Sequence, residues 1–223
     1  AGRHRGERQA LVLDQRLACS GKGAYMTLGD MNWGGLVALT LRNPRAAAAQ
    51  LINWQLPRGV IWMALVLVSC MNAILAGLSE LLFPSPVPLP SILMNPLMLF
   101  ALLAGGLLVT VHVLHWAGRV VGGQGALEDI AIVLTWLQAL RAVGQAAVVV
   151  LALVSPALAG MFAMAVMFVG LWIMANFIAQ ALSFASAWKA FGLMVVLMIG
   201  FIFGIIVLLA VTGLGVWGLD ANV

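Results

Sequence analysis

Five long apolar runs, at residues 59–82, 92–116, 130–154, 157–182 and 190–215, decide most of what this chain can fold into. Each exceeds the roughly 20 apolar residues an α-helix needs to cross a bilayer core at about 1.5 Å rise per residue. Inside them only Glu80 and Arg141 carry formal charge. Hydrocarbon offers no partner for backbone N–H and C=O groups, so such runs must satisfy them internally, as helices. The expected fold class is all-α: a polytopic integral membrane protein. A short N-terminal amphipathic helix precedes a bundle of five transmembrane helices over residues 58–217, and residues 218–223 form an external tail.

Composition excludes the soluble alternative. Of 223 residues, 64% are hydrophobic and 8% charged, more apolar surface than one soluble core of this length can bury. The chain carries a net charge of +4, but no nucleic-acid patch follows. Five of its eleven basic residues (Arg3, Arg5, Arg8, Arg16 and Lys22) crowd into residues 1–25. That arm has no signal-peptide core. Gly21-Lys22-Gly23 would be encoded as GGN-AAR-GGN just before the Met26 codon, which resembles a bacterial ribosome-binding site. The arm therefore reads as an extension upstream of a start at Met26 or as a basic segment drawn to anionic lipid.

Residues 26–57 form a juxtamembrane segment too polar to span. Asn43-Pro44 divides it: Pro suits the first turn of a helix and the preceding Asn can cap it. The second piece, residues 44–55, reads as a short amphipathic helix at the headgroup level or packed beneath the bundle, with Trp54 and Arg58 at the interface. Arg42, Arg45, Arg58, Arg119 and Lys189 all flank the same side of the spans. Their distribution predicts a cytoplasmic N-terminus and an external C-terminus. The Arg-rich, Lys-poor composition points to a bacterial source, hence to the inner membrane and a periplasmic C-terminus.

Arg141 lies near the middle of the third span, where insertion of an Arg costs about 2.5–3.5 kcal/mol. Thr135, Gln138, Arg141 and Gln145 share a helical face, as do Trp172, Asn176 and Gln180 on the fourth span. The Ser155-Pro156 turn makes these spans an antiparallel hairpin. Matching depths from that turn predicts a polar seam between them, either a site for binding or conduction or a set of packing hydrogen bonds. No acidic partner is expected at the depth of Arg141.

Other candidates are weaker. His112 and His115 could supply two metal ligands, but no third donor is near in sequence, and ordinary interfacial histidines are the favoured reading. Cys19 and Cys70 imply neither a disulfide framework nor a zinc site. Gly200 and Gly204 form a G-x-x-x-G in the fifth span that allows close helix approach, within the bundle or between chains. No nucleophile motif, zinc-protease motif or Walker A loop occurs. Neither catalytic residues nor cofactors are assigned.

The order of these features resembles the Yip1 family. The resemblance is carried by TLRNPR at residues 40–45, LPR at 56–58, Gly118-Arg119 followed by GGQG at 122–125, and WLQ at 136–138, all set among five closely packed spans. It covers about residues 29–215 and looks like a bacterial branch. Membership implies five transmembrane helices with a cytoplasmic N-terminus. Eukaryotic members look like trafficking factors that engage Rab-type GTPases through their N-terminal regions, and the corresponding region here is short. The expected function is a non-enzymatic membrane scaffold or adaptor in contact with lipids, other membrane proteins or its own copies. The alternative is a small transporter or channel using the polar seam.

Overall fold

The computed structural model describes residues 33–84 and 95–212. The basic arm and the external tail lie outside the described residues. The chain divides into two compact units, residues 1–36 and 37–223. Among the described residues there are only helices: α1 (Trp33–Arg42), α2 (Pro44–Asn53), α3 (Arg58–Leu82), α4 (Pro96–Val120), α5 (Leu127–Val154), α6 (Pro156–Ala181) and α7 (Ala187–Thr212). Five of them, α3 to α7, are long and apolar enough to cross a membrane, so the chain is a polytopic membrane protein.

Three of the helices begin alike. Asn43, Asn95 and Ser155 each precede a proline at the first helical position, and their side-chain oxygens accept from the backbone N–H of Ala46 (3.2 Å), Leu97 (2.9 Å) and Leu158 (3.5 Å). Proline has no N–H to leave orphaned there, and the cap satisfies a donor two or three residues on. This device sets the start of the second span at Pro96, later than the expected residue 92. At its other end α4 runs past residue 116 to Val120. The fifth span also starts earlier than the expected residue 190, where Ser186 accepts from Trp188 N–H at 3.2 Å.

Helix α5 packs against α3, α4 and α6, while α7 rests chiefly on α6. Helix α2 lies beneath the bundle against α6 and α5, burying Ala47, Ala48 and Leu51. This is the packed-connector form of the amphipathic segment. Arg45 fixes it by donating to Ala185 O at 3.2 Å.

The core is concentrated at this same end of the bundle. Buried there are Ile61 and Leu65 of α3, Val111 and Leu114 of α4, Ile130 to Thr135 of α5, and Ile173, Phe177 and Ile178 of α6. At the far end most side chains of α4, α6 and α7 are exposed. In a bilayer those surfaces meet lipid or other helices, and packing contacts replace the hydrophobic drive of a soluble core.

A glycine turn locks the packed end. Helix α4 closes with Gly122 N–H on Arg119 O (3.0 Å) and Gly123 N–H on Gly118 O (2.7 Å), the paired bonds of a Schellman motif. The turn then presses on the end of α6, where Gln124 N–H donates to Leu182 O at 3.1 Å. At Gly125 an added Cβ would run into the Ala181 carbonyl, 2.8 Å from its carbon, and at Gly118 into the Leu182 side chain, 2.9 Å from Cδ1. Any larger residue at 125 would lift the turn off α6.

Candidate functional site

Polar side chains inside the bundle collect between α3 and α5. Asn72 on α3 is buried, and its amide donates both to Val68 O (2.8 Å) and across the interface to Gln138 O (3.2 Å). Higher up, Gln145 Nε2 donates to Ser79 Oγ at 3.3 Å. Both interhelical bonds join residues 66 apart in sequence. Two bonds at one offset, seven residues apart on each helix, mean that α3 and α5 run parallel in a fixed register. The same offset pairs buried Ser69 with buried Thr135. Polar residues at 69, 72 and 79 thus match 135, 138 and 145 level by level.

This register places the two intramembrane charges. Arg141 stands level with Leu75, and Glu80 level with Ala146. The backbone of Glu80 therefore lies five residues, about 7.5 Å, farther along the bundle axis than that of Arg141. Both flank the Gln145–Ser79 hydrogen bond: Glu80 follows Ser79 directly, and Arg141 is one turn before Gln145. Arg141 and Gln145 are exposed at the protein surface, whereas Glu80 is half-buried. The Arg141 side chain has no hydrogen bond or ion pair among the described residues, and Glu80 makes a polar contact of its own.

The seam expected between the third and fourth spans is distributed differently. Thr135 donates to Ala131 O of its own helix at 2.7 Å, and Asn176 donates to Trp172 O of its own helix at 2.9 Å. Trp172 is half-exposed, and the Gln180 carbonyl accepts from Ser183 N–H in the turn that ends α6. No hydrogen bond joins the α5 set to the α6 set among the described residues.

His112 and His115 occupy neighbouring positions on α4 with separate environments. His112 Nδ1 donates to Leu108 O at 2.8 Å, and its ring stacks on Trp62 with centroids 6.5 Å apart and planes 18° from parallel. Nδ1 of His115 is buried without a hydrogen-bond partner among the described residues. Among the described residues no three His, Cys, Asp or Glu side chains converge as metal ligands. Gly200 and Gly204 on α7 are exposed, and a Cβ at either would meet nothing within 4 Å.

Two features of the packed end complete the picture. Arg58 Nε pairs with Glu128 Oε1 at 2.6 Å, joining the first turns of α3 and α5 near the surface. Trp136 Nε1, half-buried on α5, donates to the fully buried Thr40 Oγ1 at 3.2 Å, tying α5 to the last turn of α1. At the rim Trp116 and Trp188 are 70% and 80% exposed, close in sequence to exposed Arg119 and Lys189. Such amphipathic and cationic side chains suit the membrane–water boundary.

Reasoning along the sequence missed Ser69, Asn72, Ser79 and Glu80 as members of the polar cluster. Their spacing held the signal, since 69, 72 and 79 repeat the intervals of 135, 138 and 145. No curated protein and no solved structure matches the chain. The Yip1 domain matches residues 38–209, from within α1 almost to the end of α7 and well over half of the chain. With five membrane-spanning helices inside that match, the chain belongs to the Yip1 domain family.

Proposed function

We propose that this protein is a non-enzymatic membrane scaffold or adaptor of the Yip1 type, seated in a bacterial inner membrane with its N-terminus cytoplasmic and its C-terminus periplasmic. The observation that carries this reading is the unequal packing of the bundle. One end is closely packed, with α2 held under α5 and α6, the glycine turn pressed on α6, and cationic and aromatic side chains exposed around the rim. The other end leaves long apolar helix faces without neighbours among the described residues. A closely packed end suits the holding of partners at the membrane surface. The open apolar faces suit contact with lipid, other membrane proteins or further copies, and exposed Gly200 and Gly204 let a helix backbone approach closely. Basic residues gathered at the α2 end support the cytoplasmic assignment.

The experiment is gentle extraction of the tagged protein from its own membranes, with quantitative mass spectrometry of what co-purifies. A stoichiometric protein partner that tracks expression level is the expected result. A protein that purifies alone, and moves a solute when reconstituted into liposomes, would overturn the reading in favour of a transporter.

A further inference from the structure

We infer that Arg141, Gln145, Ser79 and Glu80 form a binding site for the headgroup of an ethanolamine phospholipid, entered from the leaflet nearest the C-terminal end of α3. Arg141 carries a guanidinium cation, and a cation beside an apolar layer is costly unless an anion or water meets it. It is exposed on the outside of the bundle without a partner among the described residues. The described residues supply no anion to it, so its fork is open to one that arrives from the membrane or the water. The planar guanidinium fork matches phosphate oxygens in a bidentate way.

Two further donors stand one turn away. Gln145 uses one amide N–H on Ser79 and keeps the other, and Ser79 accepts that bond and keeps its hydroxyl proton. The donors thus gather between the level of Arg141 and the end of α3 at Leu82, about 4.5 Å beyond Ser79. The phosphate would lie toward that end, and the long Arg141 stem would reach up to it.

Glu80 selects the class of headgroup. It lies about 7.5 Å beyond Arg141 toward the end of α3, by the common register of the two helices. A carboxylate there disfavours a simple anion and favours a phosphate that carries a cation on its outer side. Phospholipids of that leaflet present their groups in the same order, with acyl chains deepest, then phosphate, then amine. The ammonium of ethanolamine can donate to the Glu80 carboxylate, whose two oxygens offer about four acceptor sites. The inference does not depend on the scaffold reading, since a transporter could use the same site.

The test is native mass spectrometry of the full-length protein in mild detergent, after incubation with an ethanolamine or a glycerol phospholipid of the same chains. The wild type should retain one ethanolamine lipid in preference to the glycerol lipid. Arg141→Gln should lower retention of both by about tenfold. Glu80→Gln should retain lipid but lose the preference. If Arg141→Gln does not fold, judged by size exclusion and helical circular dichroism, Arg141→Lys and Gln145→Leu serve instead, each with reduced retention expected. Equal retention by the wild type and the Arg141 variants would overturn the site. Displacement of the lipid by inorganic phosphate alone would assign a free phosphate as the occupant and overturn the headgroup.

Discussion

Replacing Gly125 by alanine tests whether the glycine turn between α4 and α5 holds the packed end together. The added Cβ would meet the Ala181 carbonyl and lie 3.1 Å from Leu182 Cα. Both obstacles are backbone in the last turn of α6, so neither can rotate aside. The turn must retreat, and with it goes the Gln124 N–H bond to Leu182 O. Overpacking costs about 1–3 kcal/mol and loss of one backbone hydrogen bond about 0.5–1.5 kcal/mol. A gain of about 0.4–1 kcal/mol from the stiffer unfolded chain offsets part of this. The expected net loss is about 0.5–4 kcal/mol, which for a chain of this size lowers the midpoint by about 1–16 °C.

The assay is thermal unfolding in mild detergent, followed by tryptophan fluorescence at one fixed scan rate. Gly160→Ala is the internal control, because a Cβ there meets nothing within 4 Å and the residue is helical. Helix propensity predicts a gain of up to about 1 kcal/mol for it. Gly118→Ala should fall between the two, since its obstacle is the movable Leu182 side chain. Leu182→Ala should restore part of its loss, a coupling that a double-mutant cycle measures. A Gly125→Ala midpoint equal to or above that of Gly160→Ala would refute the argument.

Other expectations follow from single contacts. Ser183 adopts φ 58° in the turn that ends α6, with its N–H on Gln180 O and the Phe184 N–H on Ala179 O; Ser183→Gly should stabilise by about 0.5–1 kcal/mol in the same melt. Asn72→Leu removes the bond to Gln138 O. Because interhelical hydrogen bonds in membranes average about 0.6 kcal/mol and rarely exceed about 1.7, steric-trap unfolding in bicelles should show a loss in that range. A loss above about 3 kcal/mol would mean that Asn72 does more than bridge the helices. Glu128→Gln breaks the pair with the 80% exposed Arg58; it should cost under about 1 kcal/mol at low salt and nothing measurable in about 0.5 M salt, by the same melt.

The five spans were legible because the bilayer imposes length and hydropathy on each segment separately. The break at Asn43-Pro44 was legible for a similar reason, since cap and proline are adjacent residues acting through local geometry. Asn95-Pro96 carries the same signal, but the apolar run beginning at Ile92 masks it, and hydropathy does not reveal where a helix starts inside an apolar stretch. The GGQG turn was readable as a connection between spans. Its contact with Ala181 and Leu182 was not, because that depends on how the ends of α4, α5 and α6 meet in space.

The polar cluster shows the same limit more sharply. A tight turn such as Ser155-Pro156 relates depths in neighbouring spans, which is why the third and fourth were the natural pair to compare. Helices α3 and α5 run parallel and are separated by the whole of α4, so no turn sets their register. What sets it is the repeat of intervals, 69, 72 and 79 against 135, 138 and 145, together with the bonds of Asn72 and Gln145. Arg58 and Leu127 begin their helices 69 residues apart rather than 66. Counting depth from those N-terminal ends alone would therefore set Asn72 level with Arg141 instead of Gln138. Those three residues, about 4.5 Å of helix, are enough to misplace a charge by nearly a turn. Depth in a bundle of this kind is therefore better read from matching polar spacings on two helices than from helix ends. Applied here, that rule brings Glu80 within one and a half turns of Arg141.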